Sequence, residues 1–97
     1  PFSNPEQAIG RLQRFAGPKY LSERGVAVAY RDMKQYPQAI EAVNRAMKSS
    51  ASNPELYYLK GQILSTYGNK QKSAAMLQES VKNFDVAIAK KAQLPPD

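Results

Sequence analysis

The chain has 97 residues, with fourteen lysines and arginines against eight acidic residues and a formal net charge of +6. This length suits one small domain, and a hydrophobic content of 42% is typical of a globular chain rather than a disordered one. Cysteine and histidine are both absent, which excludes disulfides, thiolate nucleophiles and histidine-based metal sites. No apolar run approaches the ~20 residues that a membrane span needs.

The first predicted helix covers residues 5–17. Asn4-Pro5 is typical of a helix start, because Asn accepts hydrogen bonds from the first-turn N–H groups and Pro is tolerated at the first helical position. Gly17-Pro18 ends the helix. One side of this helix is apolar and consists of Ile9, Leu12, Phe15 and Ala16. A second copy could cover this stripe, which predicts a homo-oligomer through the N-terminal helix.

Two further helices are predicted at about 19–33 and 37–49, joined by a polar turn that ends in Pro37. A short polar connector follows, and Asn53-Pro54 then repeats the helix-start signal. We expect the next helix at 54–67, a second polar turn around Gly68, and another helix from about residue 70. Helix and turn therefore alternate along the chain, with apolar residues at three- and four-residue spacing on both sides of each turn.

The last apolar stripe contains Phe84, Val86, Ala87, Ile88 and Ala92, and it could either extend the preceding helix or form a separate one. We expect a separate closing helix at 84–93, because the end of a helical array needs its apolar face covered. Pro95-Pro96 ends the regular structure.

The same pattern of small and large residues recurs thirty-four residues apart. Ala27 corresponds to Gly61, Tyr30 to Leu64, and Ala46 to Ser80. Gly61 falls in the middle of a predicted helix, where Gly costs about 1 kcal/mol relative to Ala, so we expect a close helix crossing there. A fixed period of this size indicates an all-α fold, an α-solenoid of stacked antiparallel helix pairs.

With this period the chain resembles the tetratricopeptide repeat (TPR) family, whose units are helix pairs with small residues at their crossings. The matching positions are Ala27, Tyr30, Ala39, Ala46, Tyr57 and Gly61. Glu23 departs from the pattern, because it stands where the family has a large aromatic residue. The resemblance implies a half repeat at 5–17, repeats at 19–50 and 53–83, and a capping helix at 84–93. The chain opens at Pro1 without a methionine, and we interpret it as a piece of a larger protein.

The resemblance also implies a concave groove lined by the first helix of each repeat. Its predicted lining residues are Leu21, Arg24, Val28, Arg31, Asp32, Glu55, Tyr58, Gln62, Ser65 and Thr66. Arg24 and Arg31 could hold a carboxylate or a phosphate, and Tyr58 could take an apolar side chain. The expected function is a protein–protein interaction module that binds a peptide or a partner helix, and an acidic partner suits the positive charge.

No catalytic constellation is visible. The sequence has no P-loop, no metalloprotease helix motif and no histidine that could activate its serines, so we expect no enzyme activity and no cofactor in this segment. Two other functions stay open. The chain could be the C-terminal TPR segment of a larger bacterial enzyme, such as an envelope zinc metalloprotease, or an RNA-binding helical repeat. RNA binding is disfavoured because the basic residues form no dense stripe.

Overall fold

The computed structural model describes residues 9, 10, 17 and 19–93. This part of the chain contains four complete helices and no strand: α1 (Lys19–Asp32), α2 (Tyr36–Ser49), α3 (Pro54–Gln71) and α4 (Ala74–Gln93). The all-α prediction is confirmed, and consecutive helices pack as the pairs α1–α2 and α3–α4. The chain divides into two compact units, Pro1–Ala51 and Ser52–Asp97, and each unit contains one of these pairs.

In the first unit, a tight turn reverses the chain between α1 and α2. Lys34 adopts the left-handed conformation, with φ of 64°, and the N–H of Gln35 donates to the carbonyl of Tyr30 over 2.9 Å. Helix α2 begins at Tyr36 with Pro37 in its first turn, where the missing N–H of proline is harmless. Small side chains then meet between the helices. The fully buried core consists of Val26, Ala27, Ala39, Ala42, Val43 and Ala46.

One polar contact also joins α1 to α2. The Nε of Arg45 donates to the Oε2 of Glu23 over 3.0 Å. The Glu23 side chain is only 16% exposed, whereas that of Arg45 is 47% exposed. The residue that departs from the repeat pattern therefore ties the two helices together with a charged pair.

In the second unit, both helices are longer and both have side-chain caps. The Oδ1 of Asn53 accepts from the N–H of Glu55 at the start of α3, and the Oγ of Ser73 accepts from the N–H of Met76 at the start of α4. Lys72 lies between them in the left-handed conformation, with φ of 53°. These caps satisfy N–H groups that the helices leave unpaired.

The predicted second turn is wrong, because α3 continues past residue 67 to Gln71. Gly68 does not break the helix; it is buried inside it, where a Cβ would lie 3.1 Å from the Cβ of Met76. The missing side chain allows the next helix to approach closely. The two left-handed lysines, Lys34 and Lys72, are consequently thirty-eight residues apart rather than thirty-four. The second hairpin is longer than the first by about one helical turn.

The separate closing helix predicted at 84–93 is also wrong, because these residues continue α4 without a break. The expected kink lay at Asn83–Asp85. There the Nδ2 of Asn83 donates back to the carbonyl of Glu79, four residues earlier, so the buried amide is satisfied within the helix. Phe84 packs on α3, and no change of direction is needed to bury it.

Most of the predicted half repeat at 5–17, including Leu12 and Phe15, lies outside the described residues. Ile9 and Gly10 are helical, and Ile9 is buried. Ile9 is the one residue of the predicted apolar stripe that the structure describes, and it is covered within the chain. Among the helices described above, none combines the length and the apolar character that crossing a bilayer requires.

Candidate functional site

Helices α3 and α4 approach each other closely at two glycines. A Cβ built at Gly61 would lie 2.8 Å from two ring atoms of Phe84, and one built at Gly68 would lie 3.1 Å from the Cδ2 of Leu77. Both distances are shorter than ordinary carbon–carbon contacts. The close crossing that the sequence predicts at Gly61 is therefore confirmed, and the Phe84 ring occupies the space of the missing side chain.

Beyond Gly61, toward the start of α3, two aromatic rings meet. The ring centroids of Tyr58 and Phe84 are 5.5 Å apart and the rings are inclined at 54°, a favourable tilted arrangement. A cleft of about 650 Å³ opens beside these rings. It is lined by Pro54, Glu55, Tyr58, Phe84, Ala87, Ile88 and Lys91. Its volume lies within the range of pockets that bind small ligands or side chains.

The lining of this cleft is mainly apolar and exposed. Ile88 is 68% exposed and Tyr58 is 51% exposed, while Phe84 is half-buried between them. These large side chains are left in contact with water although the same hairpin buries Leu56 and Ile63 completely. Unburied apolar surface that is concave is typical of a binding site.

Charged groups lie at the end of the cleft where α3 begins and α4 ends. Glu55 is in the first turn of α3, and Lys91 is in the last turn of α4. At the same end of the hairpin, the Nζ of Lys90 lies 5.3 Å from the centroid of the Tyr57 ring, within cation–π distance. The carboxylate of Glu55 is favourable at the positive N-terminal end of α3, and the ammonium groups of Lys90 and Lys91 are favourable at the negative C-terminal end of α4.

The structure brings only some of the predicted groove residues together. Glu55 and Tyr58 line the cleft. The other three residues predicted on α3 do not line it. Ser65 and Gln62 are half-buried, and Thr66 is exposed nearer the turn.

The other five predicted groove residues belong to the first unit and fall on one side of α1 by helical spacing. Four are half-buried: Leu21, Arg24, Val28 and Arg31. Asp32 is exposed, and its Oδ1 accepts a long hydrogen bond of 3.5 Å from the Nη2 of Arg31. A groove shared by the two units stays a prediction.

Sequence reasoning missed the α4 side of the cleft. Phe84, Ala87, Ile88 and Lys91 recur at three- and four-residue spacing, but the prediction of a separate closing helix assigned them to covering the end of the array. The same spacing, taken as a continuation of α4, would have placed them along one side of the helix that faces α3.

Among the described residues, no three acidic side chains gather as metal ligands would. No family model matches the chain, and no curated protein or solved structure matches it. The geometry of the α3–α4 cleft is therefore the basis for a functional hypothesis.

Proposed function

We propose that the chain is a protein–protein interaction module, and that the α3–α4 cleft holds apolar side chains of a peptide or a partner helix. One observation carries this proposal: Tyr58 and Ile88 expose 51% and 68% of their surface within a concave, largely apolar cleft. Fully burying a side chain such as Ile88 contributes about 1.5–3 kcal/mol. A partner that covered both residues would gain much of that free energy.

The two walls of the cleft favour a helical occupant. Both walls are helices, so their side chains form ridges at three- and four-residue spacing, into which the side chains of a third helix can interlock. Amphipathic helices bind other helical grooves in this way through anchors at i, i+3 or i+4, and i+7. Because the cleft is short, we expect an isolated interaction of about micromolar affinity.

We also propose that the two hairpins are units of a TPR-like helical array. The support is the recurrence of small residues at the helix crossings: Ala27, Ala39 and Ala46 are fully buried in the first unit, and Gly61 is buried in the second. The longer second hairpin departs from a strict thirty-four-residue unit. The cleft lies on a part of α4 that has no counterpart in the first hairpin. Ser50, which stands thirty-four residues before Phe84, already lies past the end of α2.

A peptide-display selection on the immobilised chain provides the test. Peptides selected on the wild type are measured by fluorescence anisotropy against Ile88→Ser and Tyr58→Ser. Both substitutions remove exposed apolar surface, so circular dichroism should stay unchanged while affinity falls at least about tenfold, the equivalent of 1.4 kcal/mol.

The matched control is Val86→Ser. Val86 is also apolar and exposed on α4, at 37%, but it does not line the cleft. We expect this variant to bind like the wild type. Selected peptides that bind Ile88→Ser and Tyr58→Ser with unchanged affinity would show that the cleft is not the binding site.

A further inference from the structure

The charged end of the α3–α4 cleft holds more positive charge than negative charge. Glu55 and Lys91 both line the cleft and both are exposed. The ammonium group of Lys90 lies at the same end of the hairpin, over the ring of Tyr57. Among the residues that the structure describes, no ion pair includes Lys91. Two ammonium groups thus stand against one carboxylate at this end of the cleft.

The two lysines differ in what they can offer to a bound molecule. The Nζ of Lys90 lies 5.3 Å from the centroid of the Tyr57 ring and the residue is half-buried, so the ring already stabilises this charge. Lys91 is exposed and contributes directly to the lining of the cleft. Lys91 is therefore the cation that can pair with a negative charge on an occupant.

Lys91 lies one helical turn beyond the apolar part of the cleft. Phe84, Ile88 and Lys91 follow one another at spacings of four and three residues, which places them along one side of α4. Ile88 and Lys91 are separated by about 4.5 Å along the helix axis. A bound helix that lies along α4 rises by the same amount per residue. When one of its apolar anchors covers Ile88, the residue three or four positions further on therefore reaches Lys91.

We propose that the occupant of the cleft is an acidic amphipathic helix, in which an aspartate or glutamate three or four residues from an apolar anchor pairs with Lys91. This pairing rests on the proposed peptide-binding function, since Lys91 meets a carboxylate only when the cleft is occupied. A purely apolar helix would take water from Lys91 without giving it a partner, and a basic helix would add repulsion. Charge thus selects among helices that fill the apolar part of the cleft equally well.

A display library of helical peptides tests the pairing. Leucine is fixed at i, i+4 and i+7 as the apolar anchors, the flanking positions are randomised, and the library is selected on the wild type and on Lys91→Glu in about 0.1 M salt. We expect Asp and Glu to be enriched three or four positions outside the anchors on the wild type. On Lys91→Glu, Lys and Arg should be enriched at the same positions, because the charge that they meet is reversed.

The matched control is Lys82→Glu, which changes the net charge of the chain by the same amount. Lys82 is exposed on α4 and does not line the cleft. It is nine residues from Lys91, about 13 Å along the helix, which exceeds the Debye length of about 10 Å at this salt concentration. We expect the selection on Lys82→Glu to enrich acidic residues as the wild type does.

Fluorescence anisotropy then measures one selected acidic peptide, synthesised with acetylated and amidated ends so that only its side chains carry charge. Its affinity should fall about threefold on Lys91→Met and about fivefold to tenfold on Lys91→Glu. Lys91→Met adds no negative charge at the C-terminal end of α4, so it is the safer variant for the fold. Replacing the acidic residue of the peptide by lysine should restore the affinity for Lys91→Glu.

The outcomes separate this pairing from peptide binding itself. Peptides that lose affinity on Ile88→Ser but show no acidic preference on the wild type would overturn the pairing and leave the peptide-binding function standing. An acidic preference that persists on Lys91→Glu would overturn it as well. Peptides that bind Ile88→Ser with unchanged affinity would overturn both proposals.

Discussion

The ring of Phe84 lies against Gly61 so closely that a Cβ at residue 61 would sit 2.8 Å from its Cδ1 and Cε1 atoms. This contact sets the distance between α3 and α4, and the cleft begins immediately beyond it. Tyr58, one turn earlier on α3, tilts its ring against the same phenylalanine. The contact of Gly61 with Phe84 thus belongs both to the packing of the hairpin and to the wall of the proposed binding site.

Gly61→Ala should destabilise the second unit. The added methyl group forces the Phe84 ring to shift, and overpacking of this kind costs about 1–3 kcal/mol. The better helix propensity of alanine offsets up to about 1 kcal/mol of this cost. We expect a net loss of about 1 kcal/mol in the free energy of unfolding, measured by urea denaturation.

The smaller side chain of Phe84→Ala removes the clash and provides the control. In that background, Gly61→Ala should become neutral or stabilising, because only the propensity term remains. An equal effect of Gly61→Ala in both backgrounds would mean that the Phe84 ring does not set the helix distance.

Ser73→Ala should lower the free energy of unfolding by about 1 kcal/mol, because the Oγ of Ser73 accepts from the N–H of Met76 at the start of α4. Ser73→Asp keeps an acceptor at this position and should retain the stability of the wild type. The comparison uses thermal denaturation followed by circular dichroism. If Ser73→Asp were as unstable as Ser73→Ala, the capping hydrogen bond would not be the cause.

Lys34→Gly and Lys72→Gly should each stabilise the chain by about 0.5–1 kcal/mol. Both lysines have positive φ, at 64° and 53°, and side chains with a Cβ are strained there whereas glycine is not. Part of the gain is cancelled, because glycine also makes the unfolded chain more flexible.

Lys48→Gly is the matched control for these two changes, since Lys48 is an exposed lysine in the last turn of α2. Inside a helix the same substitution should cost up to about 1 kcal/mol. Chemical denaturation of the three variants measures all these differences. Destabilisation by Lys34→Gly or Lys72→Gly would contradict the turn geometry.

The pair of Glu23 and Arg45 should show a coupling energy of about 0.5–1 kcal/mol in a double-mutant cycle with Glu23→Gln and Arg45→Ala. The two side chains are 3.0 Å apart, and Glu23 is only 16% exposed. Because Arg45 is 47% exposed, salt should screen the pair, and the coupling should fall between 0.05 and about 0.5 M salt, where the Debye length shortens severalfold. A coupling near zero at low salt would mean that the contact adds nothing to the first unit.

The sequence predicted the helices better than it predicted their ends. Helix α2 begins at Tyr36, within one residue of the start predicted at Pro37. Proline is tolerated in the first turn of a helix but not in its interior, so it marks the helix start well. Helix α3 does not end near Gly68, where the sequence had predicted its end. Glycine occurs both in turns and where two helices pack closely, so the residue type alone does not distinguish these roles. Only the three-dimensional contact with Met76 and Leu77 decides between the two.

The sequence predicted only part of the candidate site, again because the sequence pattern does not contain the packing between α3 and α4. Glu55 and Tyr58 follow from their position on the first helix of a repeat, and they do line the cleft. Phe84 and Ile88 could not be placed there while 84–93 was expected to be a separate helix. Whether an apolar stripe continues a helix or begins another depends on packing against α3, which periodicity alone does not contain.

The isoleucine methyl groups offer the most direct test of the proposed binding cleft. The chain has four isoleucines, of which Ile88 is 68% exposed beside the cleft while Ile63 is fully buried. A chain labelled at the isoleucine δ1-methyls is titrated with a display-selected peptide and followed by NMR.

We predict that the Ile88 methyl resonance shifts in a saturable way and that the resonances of Ile40 and Ile63 stay in place. A saturable shift at Ile40 with no change at Ile88 would contradict the assignment of the binding site to the α3–α4 cleft.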